Sequence, residues 1–165
     1  MDKSKIREEI LRLLEQNARY TPKEIAVMLD LDIIEVKNEI EIMEKERVIC
    51  GYHALVDWDK TDDETISALI ELKVSPQRGE GFERIAEKIY QYPEVESLYL
   101  MSGGYDFTVI LKKATMKEIA HFVASRLAVL EEVQSTVTHI VLMRYKDHGT
   151  LFTAPRRDMR MKVTP

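Results

Sequence analysis

The sequence holds a single cysteine, Cys50, so it can form neither an intrachain disulfide nor a thiolate metal cluster. No apolar run approaches the ~20 residues that a helix needs to cross a bilayer. The N-terminal stretch MDKSKIREEI lacks the apolar core of a signal peptide. These absences predict a soluble cytoplasmic protein with no membrane partner. None of His53, His121, His139 and His148 stands in HxxxH or HExxH spacing, so no metal site is expected. There is no phosphate loop, no GxSxG and no pair of carboxylates at a recognisable catalytic spacing, so neither an enzyme nor a cofactor is expected. Free positive charge is scarce too: the formal net charge is −5, which counts against general nucleic-acid affinity. Residues 1–60 and 61–145 are each net acidic, and the surplus of positive charge sits in residues 146–165.

What is present is globular. A chain of 165 residues with 45% hydrophobic and 32% charged content makes one ordinary domain or two small ones. The first part reads as three helices. Ile6, Ile10, Leu13 and Leu14 repeat at helical spacing. Thr21-Pro22-Lys23-Glu24 carries a cap, a proline suited to the first helical position and the acid of a capping box. After a tight turn at Leu29-Asp30-Leu31, Asp32 and Glu35 repeat the capping pattern before Ile33, Val36, Ile40 and Met43. VICGYHALVDW (48–58) is β-branched and aromatic, and predicts a short strand or wing. A polar stretch through Asp63 then separates two domains, 1–52 and 64–146, with 53–63 as linker and 147–165 as a basic tail.

The second half alternates. Strands are predicted at 64–75, 94–102, 105–113 and 133–146, and helices at 79–92 and 116–131. The order β-α-β-β-α-β is the ferredoxin-like arrangement. The strands are apolar on both faces, whereas helices can cover only one face of such a sheet. The other face therefore calls for a second copy of the chain in a two-fold dimer.

Residues 21–46 fit a helix-turn-helix, with a plain three-helix bundle as the alternative. In the first reading Asn38 would read adenine, Glu35 and Glu41 would accept from cytosine, and Ile33 would touch a thymine methyl. Lys23, Lys37, Lys45, Arg47 and the helix start capped by Thr21 would meet phosphates. The tail, with Arg156, Arg157, Arg160 and Lys162, is either an electrostatic arm for DNA or a disordered or dimer-swapped extension, whose alternation would suit an added edge strand. In SGGYD, Gly103 and Gly104 leave amide N–H groups open to a carboxylate, and Asp106 could pair with an ammonium. Thr136 and Thr138 lie two apart on one strand and so share a face. Together these would suit a free α-amino acid. The alternative is a hairpin whose Asp106 caps its own turn.

MEKERVICGY (43–52) is similar to LEEEGVI-x-GY, and MSGGYDFTVIL (101–111) to a G-x-YD hairpin, both of the Lrp/AsnC or feast/famine regulators. The strand TVTHIVL adds a third match, and the resemblance covers about residues 3–145. It implies an α+β chain: an N-terminal winged helix-turn-helix followed by a ferredoxin-like βαββαβ effector (RAM) domain. It further implies dimers paired through the effector domains, assembled into octamers or larger, on double-stranded DNA. A small effector, usually an amino acid, would bind between subunits near Gly103, Gly104, Tyr105 and Asp106, with Thr136 and Thr138 as strand hydroxyls. The chain departs from the family's pattern where Glu39, Glu41 and Ile42 occupy positions that commonly hold cations, and where Arg47 replaces the glycine before Val48-Ile49. Those departures leave a second possibility, an effector-binding interaction module that has weak or lost DNA binding and assembles with a partner protein.

Overall fold

A computed structural model describes residues 2–62, 64–76 and 81–153. The chain divides after Val56 into two compact units. The first is built from α1 (Lys3–Gln16), α2 (Pro22–Leu29) and α3 (Ile33–Lys45). Ile6, Ile10 and Leu14 on α1 meet Ile25 and Ala26 on α2 and Val36, Ile40 and Met43 on α3 in one buried cluster. The capping box at α2 is complete: the Glu24 carboxylate accepts the Thr21 N–H at 2.8 Å, and Thr21 Oγ1 accepts the Glu24 N–H at 3.3 Å. Asp30 enters the left-handed region (φ 54°) to turn the chain, and Asp32 starts α3 by accepting the Ile34 N–H at 2.7 Å. Among the described residues Glu35 makes no return bond, so the second capping box is only half built.

The second unit begins with a 3-10 turn, Trp58–Lys60. It continues through β1 (Ile66–Val74), α4 (Gly81–Tyr90), β2 (Val95–Leu100), β3 (Phe107–Ala114), α5 (Met116–Phe122) and β4 (Val133–Ile140). A hairpin of β5 (Lys146–Asp147) and β6 (Thr150–Leu151) follows. The four long strands form one antiparallel sheet in the order β2-β3-β1-β4. One face is the core. Ala68, Ile70, Leu72 and Val74 of β1 and Phe107, Val109 and Leu111 of β3 are buried against Ile85 and Ile89 of α4, Ile119 and Phe122 of α5, and Leu127 beyond it. Edge-to-face rings, Phe82 on Phe107 and Tyr92 on Phe122, close its ends.

Several expected boundaries move. No strand forms over residues 48–58, because the first unit is helical and offers no strand partner to satisfy its backbone. The last helix passes into a π-helical turn at Val123–Leu127 and ends there instead of reaching residue 131. β4 stops at Ile140, and its continuation turns into the β5–β6 hairpin, so the predicted tail has ordered structure through Leu151. The expected helix start at Gly79 and the basic residues Arg156, Arg157, Arg160 and Lys162 lie outside the described residues.

Candidate functional sites

The α2–turn–α3 surface presents Thr21, Lys23, Ile33, Glu35, Lys37, Asn38, Glu41, Lys45 and Arg47, all exposed. Ile34 joins them at 66% exposure, so the start of α3 offers an apolar patch beside Asn38. Glu39 does not belong to this surface. It is buried under α1, where Arg7 Nε donates to it at 2.7 Å and Lys3 Nζ lies at 2.9 Å. Those two cations hold its carboxyl below the usual range, Lys3 most strongly. One of the acids that made α3 look hostile to DNA is thus an internal counter-ion. Lys37 is drawn toward Glu41 at 3.9 Å, a loose pair that a phosphate could displace.

Arg47 follows the end of α3 at φ 58°. The Val48 and Ile49 N–H groups turn back to the Met43 carbonyl at 2.9 and 3.1 Å, a helix stop that normally takes glycine. Beyond it, the Tyr52 hydroxyl donates to Glu44 at 2.8 Å. Partial burial, reinforced by Glu44, pushes the phenol up to about 12.

The glycine hairpin joins β2 to β3 at residues 101–106. Gly103 sits at φ 151°, a conformation that favours glycine. Gly104 does not, and a Cβ at either position would meet nothing within 4 Å. Neither backbone angle nor crowding within the chain therefore accounts for Gly104. Among the described residues, the N–H groups of Gly103, Gly104 and Tyr105 donate to no protein acceptor. Asp106 is less available. Its carboxylate accepts the Val74 N–H at 2.8 Å and Lys73 Nζ at 3.0 Å, while its own N–H donates to the Leu72 carbonyl at 2.9 Å. The Val74 bond, then Lys73, keeps its pKa low. Asp106 therefore does not cap its own turn. It locks the hairpin onto the end of β1, and Lys73 is a partner that only the strand register reveals.

Thr136 pairs across from Leu72 and Thr138 from Ile70, which places both on the helix-covered side near the sheet edge. Neither is hydrogen-bonded to Asp106. The strand hydroxyl opposite Lys73, the residue that holds Asp106, is Ser135. Of the expected effector residues, chain folding brings together Gly103, Gly104, Tyr105 and Asp106, and leaves the two threonines apart.

Comparison with known proteins gives these surfaces their context. The Lrp/AsnC ligand binding domain matches residues 67–151. An uncharacterized HTH-type transcriptional regulator of Bacillus subtilis, YugG, is 44% identical over 158 residues, covering 95% of each chain. The leucine-responsive regulatory protein of Haemophilus influenzae is 24% identical over 143 residues, covering 87% of this chain and 86% of its own. A Neisseria meningitidis transcriptional regulator solved with L-Met shares the fold at a TM-score of 0.69 and 23% identity, over 94% of this chain and 96% of that one. A fold of this kind, with a helix-turn-helix unit ahead of a ligand-binding unit, defines a transcriptional regulator. The chain belongs to the Lrp/AsnC family.

Proposed function

We propose that the chain binds specific operator DNA through α2 and α3, and that a small α-amino acid at the glycine hairpin sets its assembly or DNA affinity. The observation that carries the DNA half is the inward turn of Glu39, which leaves Ile33, Ile34, Lys37 and Asn38 as an open, mixed face at the start of α3. Asn38 supplies a bidentate partner for adenine, and Lys23, Lys37, Lys45 and Arg47 supply phosphate contacts. The effector half is supported by the free amides around Gly104, which suit a carboxylate. Asp106 positions that loop, and a second subunit completes the site. An effector of this kind acts by differential affinity for two assemblies, typically 1–3 kcal/mol.

The test is fluorescence anisotropy on DNA from upstream of the chain's own gene, against a scrambled duplex and across a salt series. Asn38→Ala is expected to cost about 1–3 kcal/mol on the operator and little on the scramble. An amino-acid panel added to the same assay is expected to shift the operator curve, and Gly104→Ala to abolish that shift without altering the melting temperature.

A second reading keeps the effector domain but not DNA binding, with the chain assembling on a partner protein. It is favoured by the acids that remain exposed on α3: Glu35, Glu41 and Glu44. Equal binding to operator and scramble, with mixed oligomers in a pull-down, would select it.

A further inference from the structure

A cavity of about 140 Å³ lies at the end of the sheet away from the glycine hairpin. The hairpin ties to Val74, the last residue of β1, whereas the cavity opens beside Ile66, the first. The nine residues of β1 put about 26 Å between them at the ordinary rise of a strand. The two sites are therefore separate. The cavity is walled by the Trp58 turn, the start of β1, Lys113 of β3, Arg144 and Phe152.

Lys113 and Arg144 are the notable pair. Their side chains are only 19% and 28% exposed. Lys113 Nζ stands 5.9 Å from the Trp58 ring centre, and the Arg144 guanidinium 5.2 Å from that of Phe152. Each ring holds its cation in place without using its hydrogen-bond donors. The nearest carboxylates stand off, Asp59 at 3.9 Å from Lys113 and Asp147 at 3.5 Å from Arg144. Other partly buried cations close tightly on their partners, with Arg7 on Glu39 at 2.7 Å and Lys73 on Asp106 at 3.0 Å. Asp57, also in the wall, is already paired with Lys60 at 2.7 Å. Among the described residues, neither Lys113 nor Arg144 donates a hydrogen bond to a protein acceptor.

Two half-buried cations with unfilled donors facing one cavity make an anion site, because charge-assisted hydrogen bonds are strongest where solvent is partly excluded. A planar guanidinium fork and a point-charge ammonium in the wall of one cavity match a carboxylate. The modest volume of the cavity suits a small occupant. We infer that this cavity binds a small carboxylate anion through Lys113 and Arg144, independently of the hairpin. Its Asp57–Asp59 wall is the start of the second unit, so an occupant touches the chain where it leaves the first.

Trp58 is the only tryptophan in the sequence, so intrinsic fluorescence of the full chain reads this cavity directly. The probes are potassium acetate, succinate and phosphate, titrated at constant ionic strength in potassium chloride. Acetate or succinate is expected to change the emission saturably. Arg144→Gln and Lys113→Met, each checked for an unchanged far-UV circular dichroism spectrum, should weaken that response at least ten-fold. Gly104→Ala should leave it intact. A wild-type chain with no saturable response to either carboxylate overturns the inference. So does a response to phosphate alone, a response unaltered in both cavity variants, or one lost with Gly104→Ala.

Discussion

Arg47 holds a left-handed backbone (φ 58°) where a side chain strains against its own carbonyl, at about 1–2 kcal/mol per residue for anything but glycine. Glycine would relieve that strain and give part of the gain back through a freer unfolded chain. Arg47→Gly is therefore expected to stabilise the helical unit by about 0.5–1 kcal/mol in denaturant unfolding, while weakening operator binding through the lost guanidinium. An arginine kept at a strained position for its charge predicts these opposite signs; loss of stability would refute the strain. Glu39 is the converse case, a charge kept for structure. Its folded pKa lies below the ordinary 4.5, so its contribution is complete above that value and fades as pH falls through the folded pKa. Glu39→Gln should cost about 1–3 kcal/mol near neutrality, since hydrogen bonds to charged groups are of that size. The gap between variant and wild type should close on acidification below pH 4.5, as read by unfolding midpoints across a pH series. The Arg47 departure was visible only against the glycine that the resembling family places before Val48-Ile49; that the position is a left-handed helix stop came from the structure. The role of Glu39 was half visible: it falls at i+3 from Val36 on the buried stripe, but its partners on α1, Arg7 among them 32 positions away, were not.

Elements were legible wherever local pattern and partner agreed, and misread where a pattern had no partner. Thr21 with Glu24 announces α2 because capping is settled within four residues, and the structure adds a second complete box, Thr115 with Glu118, at α5. Val141–Met143 reads as more of β4, yet the strand ends at Ile140, and the Val141 N–H makes a last bond to the Ser67 carbonyl at 3.0 Å, near the start of β1. The wing at 48–58 fails for want of a strand partner. The hairpin was legible as a glycine turn, but not the engagement of its aspartate, since the bond to Val74 spans 32 residues and follows from strand register alone. In the proposed function, that bond gives Asp106 a positioning role. Asp106→Ala would leave the Val74 N–H without its acceptor, at about 1–3 kcal/mol, and free the hairpin end. Asp106→Asn keeps a carbonyl for that N–H while losing the charge pair with Lys73, so it should recover most of the stability. Denaturant unfolding of both variants beside an effector titration separates the roles. A side chain that contacts the ligand ammonium directly would lose affinity equally in both, whereas a positioning role predicts recovery in the asparagine variant.

At the scale of the whole molecule, the alternation of strands and helices in the sequence carried the α+β architecture, and the two-sided apolar strands carried the need for a cover. The uncovered face is mixed in character. Leu69, Ile110 and Val137 are half-buried at its centre, and Tyr99 and Val141 lie open at 51% and 43%. Glu71 with His139 at 3.1 Å, and Lys73, break the apolar surface. A second copy across a two-fold axis would bury the apolar centre against itself and set those polar groups against their own copies at the rim. Tyr99 tests this arrangement well. It lies on edge strand β2, paired with Thr108, and half its surface is open, so a polar replacement costs the single chain little. In a symmetric interface the same replacement desolvates a carboxylate, and does so in both copies. The wild-type chain is therefore expected to sediment at twice its chain mass or a multiple of it. Tyr99→Glu should shift the population toward monomer with the far-UV spectrum unchanged. A Tyr99→Glu chain that keeps its assembly would move the interface off this face, because no close-packed dimer there could absorb two buried carboxylates without loss of affinity.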